Sequence, residues 1–196
     1  MIYLPKAFER YLSALRLYVQ MSVLKGGNDA KHLAQLKRIS LAEAFYFKQE
    51  RSPVDIIKLS NSLLGAAVII LMQRGIRLSA FFSGGGVYLI NRRLFSALLS
   101  ELISLSGDGC KIILNAGQKN LIIKAAGVCF SKTLPRLVKA MNGFLLVERV
   151  KNSLLIVIPS EKTRLPSQII ENEWCYILDR FSPVNIWLLN VRNDPP

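Results

Sequence analysis

Histidine and cysteine are nearly absent from this chain of 196 residues, which has one His and three Cys. Cys110, Cys129 and Cys175 lie far apart with no CxxC pair, and His32 has no ligand cluster around it. That pattern excludes a zinc site and a disulfide framework, and reads as three reduced thiols. Acidic residues are also few, 13 against 26 Lys and Arg. Glu9, Glu43, Glu50, Glu101 and Asp108 stand singly, so spacing shows no acid/base couple. The uncharged stretch Leu59–Gln73 is too short for a bilayer, which needs ~20 residues, and it contains Ser60, Asn61 and Ser62. The opening Met-Ile-Tyr-Leu-Pro-Lys lacks the charged-then-apolar order of a signal peptide. A cytoplasmic protein is expected.

What is present is a chain long enough for one ordinary domain with an extension. Half of its residues are apolar, which excludes disorder. The net charge of +13 points to an acidic partner: nucleic acid, an anionic membrane or an acidic protein.

From Pro5 to Lys25, Phe8, Leu12, Leu15, Val19 and Ser22/Val23 recur at heptad spacing, predicting a helix of about six turns. Gly26-Gly27-Asn28-Asp29 breaks it, and a second helix is expected from Ala30 to Gln49 with Leu33 and Leu36 on one side. A lone hairpin cannot bury such a stripe, whereas pairing with a second copy into a four-helix bundle does. Ser52-Pro53 ends the hairpin.

Beyond it the pattern alternates. Helices are expected at Ile56–Arg74, Asn91–Leu105 and Leu134–Met141. Strands are expected at Ile76–Phe82, Val87–Ile90, Cys110–Asn115, Asn120–Lys124, Phe144–Val150 and Ser153–Ile158. Gly84-Gly85-Gly86 lacks GxxxxGK[ST] and precedes a strand, so it reads as a hairpin turn and not a phosphate loop. The tail adds an expected helix around Ile169–Leu178 and a strand around Val184–Leu189. The fold class is therefore α+β: a helical hairpin, residues 1–51, then an α/β sandwich, residues 52–196, with an extension from about residue 160. The sandwich is one mixed sheet with helices on one face.

This layout, with Ser52-Pro53-Val54-Asp55-Ile56, Arg74-Gly75-Ile76-Arg77-Leu78, the helix Leu94–Ile103 and the segment Leu137–Glu148, resembles a bacterial sensor histidine kinase core from about Ala7 to Pro159. The resemblance implies a dimerisation hairpin and a GHKL-type ATPase-like domain. The chemistry departs from that family. Its N box needs an Asn to hold Mg²⁺, a hard cation that takes oxygen ligands, but here the slot holds Leu105, or Ser104 with a one-residue shift. The Asp expected to meet adenine is replaced by Ala125, although Gly127 survives. Six residues separate Gly127 from Leu134, too few for the family's glycine-rich lid. Arg10 stands in the phosphoacceptor His slot, and His32 lies beside the turn as a solvated helix-start residue.

The expected function is a degenerate histidine-kinase-like scaffold or adaptor, a homodimer binding a response-regulator receiver domain or a sensor kinase in two-component signalling. No catalytic residue, cofactor or metal is assigned. Phe8, Leu12, Leu15, Val19, Leu33 and Leu36 form the expected dimer seam. Arg10, Arg16, Lys48 and Arg51 form the expected partner surface, since basic charge speeds encounter with an acidic pocket. The alternatives are a divergent ATP-binding protein with a remodelled pocket and, against the lack of a stacking platform or recognition helix, a nucleic-acid binder.

Overall fold

The computed structural model describes residues 6–25, 29–167, 176, 178–179 and 181–189. Two amphipathic helices, α1 (Lys6–Leu24) and α2 (Asp29–Tyr46), form the hairpin. The turn expected at Gly26-Gly27-Asn28 lies outside the described residues. Leu12, Val19 and Val23 of α1 are buried with Leu33, Leu36, Ile39 and Ala44 of α2. Arg16 ties the two helices through Glu43 (2.8 Å) and Ser40 (2.9 Å).

The hairpin continues into β1 (Ser52–Asp55), where Pro53 sits on a sheet edge, the place a residue without an N–H tolerates best. The Asp55 carboxylate accepts the Lys58 N–H at 3.1 Å and starts α3 (Ile56–Met72), whose apolar residues are buried on most of its circumference. Then follow β2 (Leu78–Gly84), β3 (Val87–Ile90), α4 (Arg92–Ser104), β4 (Ser106–Ala116), β5 (Asn120–Val128), α5 (Thr133–Ala140), β6 (Phe144–Glu148), β7 (Ser153–Pro159), β8 (Lys162–Thr163) and α6 (Pro183–Leu189).

The main sheet has the order β2-β4-β5-β7-β6, with β2 parallel to β4 and every other pair antiparallel. It is the expected mixed sheet. Its inner face carries Cys110, Ile112, Leu114, Leu121, Ile123, Leu154, Ile156 and Ile158, all buried under the helices. One cluster of buried side chains runs from these residues through α3 and α4 to Leu36 and Ile39 of the hairpin. Among the described residues no helix is long and apolar enough to cross a membrane.

Two expectations are corrected. Gly84-Gly85-Gly86 does not turn a hairpin, because β2 lies in the main sheet while β3 pairs with β1 and β8 in a separate three-stranded sheet. The glycines carry the chain from one sheet to the other. Val184–Leu189 is helical: Pro183 opens α6 with its fixed φ, and Ser182 Oγ accepts the Asn185 N–H at 3.2 Å as an N-cap. The helix expected around Ile169–Leu178 lies largely outside the described residues.

Candidate functional site

The residues expected to mark a degenerate nucleotide pocket lie on two segments, the end of α4 and the strand β5. Asn91 caps α4, its Oδ1 accepting the Leu94 N–H at 2.8 Å, and Leu94 through Ile103 are all buried. Helix α4 is therefore held on every side and its C-terminal end is fixed. There Ser104 Oγ turns back to donate to the Glu101 carbonyl at 2.8 Å, and the Leu105 N–H donates to the carbonyls of Glu101 and Leu102. The Leu105 carbonyl accepts the Cys129 N–H at 2.9 Å, which closes the end of β5 onto the end of α4.

Ala125 is buried in the core. Gly127 has φ +72°, the left-handed conformation that favours glycine, and a Cβ there would sit 3.3 Å from the Cys110 Cα. The N–H groups of Gly127 and Val128 both donate to the Asn152 carbonyl, at 3.0 and 3.2 Å. A phosphate cradle needs backbone amides turned towards an empty space. Here the amides of 127, 128 and 129 are all committed to protein carbonyls. Ser104 and Leu105 lie at the end of α4, joined to the end of β5 through Cys129, whereas Ala125 lies within the sheet opposite Ile112 and Leu154.

A buried polar network that the sequence did not announce fills the adjoining space. Glu101, on α4, is 3% exposed. Its Oε1 accepts the Ser131 hydroxyl at 2.8 Å, and its Oε2 accepts the Trp187 indole N–H and the Lys37 ammonium, each at 2.8 Å. Lys37 also lies over the Trp187 ring, 5.3 Å from its centroid. Ser131 Oγ in turn accepts the Thr133 and Leu134 N–H groups and so caps α5. One carboxylate therefore joins α2, α4, α6 and the short link before α5. A buried carboxylate is tolerated only when paired and hydrogen-bonded, and this one is both. The sole sequence signal was an isolated Glu in an apolar helix, and it carried no hint of partners 64 and 86 residues away.

The expected partner residues separate into three places. Arg10 is exposed on α1. Arg16 is half-buried and occupied by Glu43. Lys48 and Arg51 come together with Lys139 around a small polar cavity of ≈ 110 Å³ between the hairpin and α5. Lys139 joins this group only through the fold. Of the expected seam, Leu12, Val19, Leu33 and Leu36 are buried within a single chain, Leu15 packs on its core, and the Phe8 ring rests 4.9 Å from that of Tyr46.

Titratable chemistry near the site is limited. Burial pushes the Cys110 thiol up, away from the thiolate range in which cysteine acts as a nucleophile. Cys129 is exposed, and Cys175 lies outside the described residues. His32 is half-buried and has an interaction partner, not the solvated position expected of it. At the surface, Arg77 holds Asp108 down to about 2 through its guanidinium and its backbone N–H.

No family model matches the sequence, and no curated protein matches it. Among solved structures the chain is similar to the cytoplasmic segment of the histidine kinase QseC, at 14% identity over 66% of this chain and 92% of that one, with a TM-score of 0.47. It is similar to the histidine kinase AdeS of Acinetobacter baumannii, at 13% identity over 80% of this chain and 97% of that one, with a TM-score of 0.43. It is also similar to the catalytic domain of the histidine kinase ThkA, at 13% identity over 56% and 95% of the two chains, with a TM-score of 0.36.

Proposed function

We propose that this chain keeps the layout of a histidine kinase core without its phosphoryl chemistry, and serves as a dimeric scaffold or adaptor in two-component signalling. The observation that carries the reading is the closure at the end of α4: the Cys129 N–H on the Leu105 carbonyl, with Gly127 and Val128 turned to Asn152. Nucleotide binding at that position would require breaking these bonds, and no side chain there takes over the role of the missing Asn or Asp. Arg10 in the phosphoacceptor slot supports the same conclusion, because a guanidinium cannot play the part of a phosphorylated imidazole.

Dimerisation uses a different face of α1 from the one expected. With Leu12 and Val19 buried against α2, the large apolar side chains of α1 left exposed are Phe8, Tyr11, Leu17, Tyr18, Met21 and Leu24, with exposed Ala14 between them. Tyr11, Ala14, Tyr18 and Met21 follow one another at three, four and three, a second heptad stripe on the same helix. A second copy laid against it would bury this stripe as a four-helix bundle.

The partner is an acidic receiver domain, or a kinase that carries one, docked on Lys48, Arg51 and Lys139. Purified receiver domains from the same cell test this by calorimetric titration at two salt concentrations. Binding that weakens with salt and falls on Lys48→Glu/Arg51→Glu substitution supports the proposal. Absence of binding by every receiver domain and kinase tried rejects it.

A further inference from the structure

The inner face of the main sheet is covered by helices, and its outer face is open. Side chains alternate along each strand and the register is continuous, so the outward residues line up in rows across the sheet. Phe81, Ile113, Lys124, Leu155 and Leu146 stand side by side, one from each of the five strands. The next row adds Ile122, Val157 and Phe144. Phe81, Leu146 and Phe144 are each more than half exposed. A solvated sheet face ordinarily carries polar side chains, and a contiguous apolar field rimmed by charge marks an interaction surface.

The field is hollowed and carries unpaired charge. In the third row two small side chains, Ala126 and Ser153, stand between Lys111 and Glu148. A groove of ≈ 480 Å³ opens over them, with Ile113, Leu155 and Leu146 along it. Lys124 and Lys111 also line it, the Lys111 ammonium 4.8 Å from the Phe81 ring centroid. Neither lysine is in an ion pair among the described residues. Glu148, the acid in the groove, is already held by Lys151 at 2.8 Å and by the Ser153 hydroxyl at 3.2 Å.

These features restrict what fits there. Strands β4, β5 and β7 have neighbours on both sides, so their peptide groups are spent in the ladders and offer nothing to a second backbone. Whatever lies on the face must satisfy its own peptide groups, as a helix does. From β4 to β6 is three strand spacings, about 14 Å, enough for a helix about 10 Å across. An apolar stripe pressed onto Lys124 desolvates an ammonium, which is costly unless the stripe brings a carboxylate. A second copy of this face brings two more lysines and no spare acid. We infer that the outer face of the main sheet docks an amphipathic helix of a partner protein, its apolar stripe on Ile113, Leu155 and Leu146 and a Glu or Asp of that stripe on Lys124 and Lys111. The surface stands apart from the Lys48, Arg51 and Lys139 group, which lies between the hairpin and α5.

The probe is a fluorescein-labelled helical peptide of about 18 residues, with leucines at i, i+3, i+4 and i+7 and glutamates beside them, followed by anisotropy at constant ionic strength. Its twin has lysine at every glutamate position. The expected result is saturable binding of the acidic peptide, with the basic twin roughly tenfold weaker or more. Lys124→Glu should cost the acidic peptide roughly tenfold, and Lys111→Glu with Lys124→Glu should turn the preference to the basic twin, which loss of folding cannot do. Lys132→Glu, exposed and off this face, makes the same change of net charge as Lys124→Glu and should bind as the parent does. The proposal is overturned by no saturable binding, by equal binding of the two peptides, or by an equal loss in Lys132→Glu. Binding of phosphatidylglycerol vesicles while neither peptide binds would make the face a membrane surface and overturn it too.

Discussion

Removing both ends of the Lys37–Glu101 pair should cost far less than the two single removals cost in sum. Lys37→Met takes away the ammonium paired with a carboxylate that is 4% exposed, leaving it the Trp187 and Ser131 donors. The loss of one charge-assisted hydrogen bond on a buried acid is about 2–3 kcal/mol. Glu101→Leu strands the buried Trp187 indole N–H and leaves Lys37, which at 25% exposure can turn part-way to water. An unsatisfied buried donor costs about 1–3 kcal/mol, and the displaced ammonium brings the total to about 3–4 kcal/mol. Independent effects would sum to about 5–7 kcal/mol in the double variant. Because both single changes break the same interaction, the double variant should instead lose only about 3–4 kcal/mol, a coupling of roughly 2–3 kcal/mol. For a chain of this length each kcal/mol moves the melting temperature by about 2–4 °C, so urea titration and thermal melts of the four proteins resolve the cycle. A coupling below about 0.5 kcal/mol would refute the claim that Glu101 joins the hairpin to α4 and α6.

Three further outcomes follow from the geometry. Gly127→Ala should destabilise by about 1–2 kcal/mol in urea titration, because φ +72° is strained for any L side chain and the new Cβ meets the Cys110 backbone; an unchanged midpoint contradicts this. Tyr18→Glu with Met21→Glu should give folded monomers in light scattering that melt somewhat lower than the dimer, whereas Leu12→Glu should unfold the chain, since Leu12 is 5% exposed; a dimer that persists in the first variant places the interface elsewhere. Arg77 lowers the Asp108 carboxyl from an ordinary value of 3.8 to about 2, so its contribution is fully present above about pH 5 and fades as pH falls through 2. The stability difference between the parent and Arg77→Gln should therefore be constant at neutral pH and shrink in acid, and a difference that grows in acid has the wrong sign.

Local signals in the sequence were enough for elements with strong punctuation. Asn91 before a long apolar helix, and Asn142-Gly143 between Met141 and β6, mark their boundaries through caps and turns, and the structure places β3 at Val87–Ile90 as read. The helix at Pro183–Leu189 was missed because a short run such as Val-Asn-Ile-Trp-Leu-Leu suits either period, although Ser182-Pro183 was a start signal that decides for helix. The stripe expected as the seam on α1 is covered by α2 within one chain, and the reason it was not foreseen is physical. The helix carries two apolar stripes, and periodicity alone does not say which one the partner helix α2 covers. The Glu101 network was not legible, since it is assembled from residues that only the tertiary fold brings together.

On the proposed reading, the end of α4 admits no nucleotide. The sharpest check is the melting temperature of the protein with and without millimolar Mg-ATP. Any ligand that binds only the native state must raise that temperature. No shift is expected. A saturable, Mg²⁺-dependent rise of several degrees would show that the Cys129–Leu105 closure opens to nucleotide, and would make this chain an ATP-binding protein.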